Sequence, residues 1–168
     1  MRRLRSSGTY RPTNRKEAGF SLIELLVVVA VILIIAAIAI PNYIQSKMRA
    51  NEASAAQSLR NIATAELVYS TTYGIDFSTS LTQLSGTGVT PDLNNAGLID
   101  EALASGTKSG YVFVYTPLAT DALGHTSTYS LTADPQTPTT GQRHFYTDQT
   151  CVIRSNVSVP AGPTDLPI

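Results

Sequence analysis

Histidine, cysteine and carboxylate side chains carry most enzyme chemistry, and this 168-residue sequence places few of them where they could act together. His125 and His144 are the only histidines, and neither stands at metal-ligand spacing from the other or from Cys151. His144 and Asp148 are four apart, but the residues around them read as a strand followed by a turn, which would not converge them on a site. There is no G-x-S-x-G, no P-loop and no Cys-x-x-Cys. Asp165 is the single acid after Asp148, so no C-terminal cluster offers the six to eight oxygens that Ca²⁺ requires. The expectation is a protein without catalytic residues, metal or cofactor. One carboxylate does stand in an unusual place. Glu24 is the sole charge in the otherwise greasy segment Phe20–Ile40.

That segment sets the problem. Leu25 to Ile40 are sixteen uninterrupted apolar residues, and the stretch from Phe20 is twenty-one long. As a helix it spans about 31 Å, close to the hydrocarbon thickness of a bilayer. A carboxylate at the bilayer centre costs about 2–3 kcal/mol and less near an interface, so Glu24 belongs near one surface. There it also meets the positive end of the helix macrodipole. Zero formal net charge conceals an asymmetry. Residues 1–19 hold Arg2, Arg3, Arg5, Arg11, Arg15 and Lys16 against Glu17 alone, and the remainder holds six basic and eleven acidic residues. By the positive-inside rule the leader 1–19 is cytoplasmic and the acidic remainder lies across the membrane. The few scattered basic residues after 19 do not suggest a nucleic-acid surface. A cleaved secretory signal fits poorly, because the apolar run is long and Pro41-Asn42-Tyr43 is no A-x-A site.

The sequence Lys16-Glu-Ala-Gly-Phe-Ser-Leu-Ile-Glu-Leu-Leu-Val27 resembles the class III signal of type IV pilins and type II secretion pseudopilins. The resemblance covers residues 15–74 well and only the architecture beyond. It implies that a prepilin peptidase cuts between Gly19 and Phe20 and methylates the new N-terminus at Phe20. It implies residence in the bilayer before assembly, an inner-membrane assembly platform, and identical subunits as partners in a helical filament. It also implies that Glu24 pairs with the N-terminal amine of an adjacent subunit. An unpaired buried charge is disfavoured, so such a pair selects one axial register. Ala36 and Ala37 would allow close helix approach in that filament.

The elements that position these residues follow from periodicity. Pro41 lacks an amide donor and should loosen or kink the helix that precedes it. Over 42–73, Ile44, Met48, Ala55, Leu59, Ile62, Ala65, Tyr69 and Tyr73 recur at the helical period, and Gly74 is suited to follow a helix end. The segment 20–41 is therefore the transmembrane and polymerisation helix, and 42–73 the amphipathic half of the same spine. Residues 74–110 form a glycine-punctuated αβ loop with short helical turns at Thr79–Leu84 and Leu98–Ala104. Residues 111–154 read as a three- or four-stranded antiparallel meander, with strands at Tyr111–Thr116, Thr128–Ala133, His144–Thr147 and Cys151–Arg154. Residues 155–168 read as an extended, loosely held tail. The fold class is α+β, pilin-like: a long helical spine packed on a small antiparallel sheet.

Two points stay open at this level. Cys151 cannot form an internal disulfide and reads as a small buried apolar residue, with an intermolecular bridge as the other reading. The chain reads as a pilus subunit, with a secretion pseudopilin as the alternative and an ordinary single-span anchored domain as a remote third. The acidic calcium loop and tryptophan-containing turn of major pseudopilins are missing, and so is the C-terminal disulfide of many pilins.

Overall fold

The computed structural model describes residues 19–86, 90–122 and 125–168. The basic leader therefore lies outside the described residues, as do Gly88 and Gly124. Helix α1 runs from Leu22 to Tyr73 and includes Pro41 without a break in the helical assignment. Two short helices, α2 (Leu81–Leu84) and α3 (Glu101–Ala104), follow. Five strands complete the chain: β1 (Thr107–Lys108), β2 (Tyr111–Thr120), β3 (Thr126–Pro135), β4 (His144–Asp148) and β5 (Arg154–Asn156). The architecture is α+β, a long N-terminal helix with an antiparallel sheet in the order β1-β2-β3-β4-β5. Contacts divide the chain after Ile40 into two compact units.

In the N-terminal unit the helix is bare. Every large apolar side chain from Phe20 to Ile40 is exposed, from Val29 at 47% to Phe20 at 88%. Among the described residues α1 is the one helix long and apolar enough to cross a membrane, and none of its apolar window is buried.

In the unit from Pro41 onward, burial switches on at Ala55. Ala55, Leu59, Ile62, Ala65 and Tyr69 face inward, one turn apart, as the 3.6-residue period requires. They meet Tyr111 and Phe113 of β2, Tyr129, Leu131 and Ala133 of β3, and Phe145 of β4 in one apolar cluster. On β3 the buried residues alternate, Tyr129, Leu131, Ala133, so one face of the sheet covers the helix. Register supports this: Phe113 lies opposite Ala133 and Tyr115 opposite Leu131, on the same face. Tyr115 stacks on Tyr129 at 5.2 Å, and Phe77 meets Tyr129 edge-on at 5.0 Å.

Termination is local. Gly74 takes φ +68°, a conformation that is cheap only without a Cβ, and its N–H donates to Ser70 O at 3.1 Å. The side of β2 beyond Val112 lies past the reach of two-residue β1, and it is there that Pro117 sits, with a register shift after it. The turn before β4 is held by the helix. Asn51 Nδ2 donates to Thr140 O, and Glu52 Oε1 accepts from the N–H groups of Gln142 and Arg143 at 3.0 and 3.3 Å. Gly141 is needed in that turn, because a Cβ would collide with the Tyr111 hydroxyl and ring.

Four expectations change. The sheet has five strands, since Thr107–Lys108 adds an edge too short to read from composition. The last strand begins at Arg154 rather than Cys151: Cys151 adopts φ +58° in a turn where its N–H bonds Asp148 O at 2.9 Å. The side chain of Cys151 is exposed, not a small core residue. The tail is tied down rather than loose. Asp165 accepts from Asn156 Nδ2 at 2.9 Å and Gly162 N at 2.8 Å, Ser155 N donates to Leu166 O, Ile168 N donates to Ile153 O, and Ala161 is buried. One carboxylate held by a side-chain amide and a backbone N–H, with two backbone bonds beside it, fixes the proline-rich tail.

Candidate functional site

The first site is the start of α1. Gly19, Phe20 and Ser21 precede the helix in non-helical, exposed backbone, with nothing within 4 Å of the position a Gly19 Cβ would take. Ser21 is the N-cap and Glu24 the third helical residue, and Glu24 Oε2 accepts a hydrogen bond from the Ser21 N–H at 2.8 Å. This is one half of a capping box, in which an acid in the first turn satisfies a donor the helix leaves unpaired. The Ser21-x-x-Glu24 spacing was legible in sequence, although the charge alone drew attention there. Glu24 thus has a defined role in the isolated chain: it closes its own helix terminus while remaining exposed.

The other expected assembly residues fall along the same element. Ala36 is half-buried and Ala37 exposed, and both lie in the bare N-terminal unit. Pro41 opens the second unit inside the continuous helix.

The histidines do not converge with nucleophiles. His125 Nδ1 pairs with Asp121 Oδ2 at 3.0 Å on the surface, and His144 Nδ1 bonds Asp134, not Asp148. Arg143 Nε lies 3.9 Å from Glu52 Oε2. Among the described residues no three His, Cys, Asp or Glu side chains gather as a metal-ligand set.

Sequence reading missed Glu66. It is fully buried on α1, its Oε2 accepting from Ser78 N at 2.9 Å and its Oε1 from Ser78 Oγ at 2.6 Å. Tyr115 Oη in turn donates to Ser78 O at 2.7 Å. Helix, αβ loop and β2 are thereby joined at one serine. Burial pushes the Glu66 carboxyl above its ordinary value of 4.5, against the lowering effect of the Ser78 hydrogen bonds. Burial also raises the Tyr115 hydroxyl, helped by the nearby Glu66 charge. The signal was available: Glu66 stands four residues after Ile62 and three before Tyr69, on the apolar stripe itself.

The described residues thus form an α+β protein whose N-terminal helix is long and apolar enough to cross a membrane and carries one capping carboxylate at its start. Residues 14–40 match the family model described as the prokaryotic N-terminal methylation motif. Two curated relatives share the region. The type IV major pilin protein PilA of Myxococcus xanthus is 47% identical over 57 residues, 34% of this chain and 24% of that protein. The type IV wide pilus major component PilA4 of Thermus thermophilus is 53% identical over 38 residues, 23% of this chain and 29% of that protein. The matched stretches thus span about a quarter of the relatives' length. Over this N-terminal region the chain is similar to type IV pilins and carries the prokaryotic N-terminal methylation motif.

Proposed function

We propose that this chain is a structural subunit of a type IV pilus-like filament and has no enzymatic activity. The observation that carries the reading is the bare helix: large apolar side chains from Phe20 to Ile40 stand exposed, interrupted by one carboxylate placed at the first turn. Lipid covers such a surface before assembly, and identical helices cover it afterwards. Because lipid is itself apolar, the gain on assembly comes from close packing and polar pairing rather than from the hydrophobic effect. The two relatives are named as pilus components, which favours a pilus over a secretion pseudopilus.

In this reading the prepilin peptidase cuts the Gly19–Phe20 bond and Phe20 is N-methylated. The exposed, non-helical backbone around Gly19 suits entry into a peptidase. The leader stays cytoplasmic, the head faces outward, and an inner-membrane platform adds subunits. Glu24 exchanges its contact with the Ser21 N–H for the N-terminal amine of a neighbour once the helix is packed. Ala36 and Ala37 bring neighbouring helices close. Replacing both by Leu is expected to cut filament yield at least several-fold while membrane insertion is unchanged, because added methylenes in a packed interface cost about 1–3 kcal/mol. Unaltered yield would argue against close approach there.

The reading is tested by intact mass and N-terminal sequence of the chain in sheared fibres. A chain beginning at N-methylated Phe20 in those fibres supports it. The same processed chain confined to the cell envelope favours a pseudopilus. An intact Met1 means an ordinary anchored domain.

A further inference from the structure

The turn before β4 carries distant side chains to α1. Asn51 and Glu52 hold that turn through Thr140 O and the N–H groups of Gln142 and Arg143. Arg143 thereby arrives beside a helix residue ninety-one positions earlier in the chain. Gln45, Met48, Arg49 and Glu52 share one face of α1 at the i, i+3, i+4, i+7 spacing, and with Gln142, Arg143 and Val157 they line a groove of about 410 Å³. Its charge is unbalanced, with two guanidinium groups against one carboxylate. Glu52 Oε1 is already committed to the two backbone N–H groups, at 3.0 and 3.3 Å. Arg143 Nε lies 3.9 Å from Glu52 Oε2, too far for a hydrogen bond, and the Arg143 side chain is 52% exposed. Arg49 is exposed and makes no hydrogen bond or ion pair with any described residue. Two forked sets of donors thus line one groove with their N–H groups unspent, an arrangement suited to phosphate oxygens.

The position of the groove along the chain selects the source of that phosphate. Gln45 and Arg49 stand five and nine residues after Ile40, where the apolar run ends, or about 8 and 14 Å of helix. This tether is set by chain length alone. The polar layer of a bilayer is about 5–8 Å deep on each face. Helical side chains lean toward the helix N-terminus, here toward the apolar run, and arginine extends its reach by snorkelling. Tyr43, 69% exposed, stands between the run and the groove, at the depth where tyrosine favours the membrane interface. Met48 and Val157 add an apolar wall to the same groove, against which a glycerol and the first acyl methylenes can lie.

We propose that the groove between α1 and the turn 140–143 binds the phosphate of an anionic phospholipid headgroup, gripped by Arg49 and Arg143, while the chain resides in the bilayer before assembly. The inference rests on the reading of 20–40 as a bilayer-inserted segment. A membrane phosphate is favoured over a free one because the tether keeps the groove beside the headgroup layer, where phosphodiesters are always present. An anionic lipid is favoured over a zwitterionic one because the groove carries one more positive than negative group. Lys47 lies at the same distance from the apolar run but does not line the groove, so it contributes only diffuse attraction.

The test uses the full-length chain in phosphatidylcholine vesicles doped with phosphatidylglycerol that carries a photoreactive group on its headgroup, and maps the labelled peptides by mass spectrometry. Label is expected on the peptide containing 45–49 and on the one containing 142–143, which is remote from the apolar run in sequence. Arg49→Gln is expected to lower the label at 142–143 about fivefold, and Arg49→Gln with Arg143→Gln at least about tenfold. Arg49 has no internal bond to lose, and Arg143→Gln keeps the backbone N–H that Glu52 holds, so the heads fold. Lys47→Gln leaves the label within about twofold of wild type, as does excess inorganic phosphate. Displacement by inorganic phosphate assigns the groove to a free anion and overturns the lipid proposal. Equal losses from Lys47→Gln and Arg49→Gln mean diffuse attraction without a site and overturn it too. A second lipid, photoreactive at its acyl terminus, separates the two levels of the argument. Acyl label within 20–40 without headgroup label at 142–143 overturns the proposal alone, whereas no acyl label within 20–40 overturns the bilayer reading and the proposal with it.

Discussion

On the filament reading, Glu24→Ala is expected to leave a processed, membrane-inserted subunit that forms at most about one-tenth of wild-type filament. Removing one partner of a buried charge pair costs about 3–5 kcal/mol, and each 1.4 kcal/mol is tenfold. The capping geometry allows a sharper version. Glu24 Oε2 holds the Ser21 N–H at 2.8 Å, and a glutamine can make that bond equally well. Glu24→Gln therefore preserves the helix terminus and removes only the charge. If filaments need the charge, Gln fails as Ala does. If they need only the cap, Gln assembles at wild-type yield and the pairing role is lost. Shear-fraction yield, normalised to inserted subunit, reads both.

Glu66 makes the head less stable as pH rises. Its carboxyl is raised by burial above the ordinary 4.5, so the folded chain holds the proton more tightly than the unfolded chain does. The favourable contribution is fully present below about 4.5 and is lost as pH climbs through the raised value. Glu66→Gln has no such dependence. Denaturation of the full chain in detergent should therefore show the Gln variant gaining on wild type from about pH 4.5 until the raised Glu66 value is passed, and holding that gain beyond it. Parallel stability profiles would mean that Glu66 is charged in the folded head. Glu66→Ala behaves differently. It strips the Ser78 N–H of its acceptor and leaves a cavity, costing about 2–4 kcal/mol near pH 4.5, a deficit that narrows as pH rises and wild type loses the Glu66 contribution. Because Ser78 also receives Tyr115, the loss is expected to free the αβ loop from both helix and sheet.

How far the sequence reaches depends on the range of the interactions involved. Periodicity and composition are local. They are enough for the bare span, the inward stripe Ala55 to Tyr69, the stop at Gly74, and the short helices near Leu81–Leu84 and Glu101–Ala104. The S-x-x-E cap is equally local and was simply overshadowed by the charge of Glu24. What joins distant segments is different in kind. Nothing near Asp165 announces that it will hold Asn156 and Gly162, and nothing near Cys151 announces a left-handed turn that exposes it. The buried position of Glu66 could be read from its spacing, but its partner Ser78 could not. Which charges remain unpaired is likewise a tertiary result, because Glu52 is satisfied by a turn ninety residues away. By itself the sequence determined a helix long and apolar enough to span a membrane and a helix-on-sheet head, since each follows from residues within a few turns of one another. The closed tail and the Glu66 clamp were decided only when folding brought those distant groups within hydrogen-bonding range.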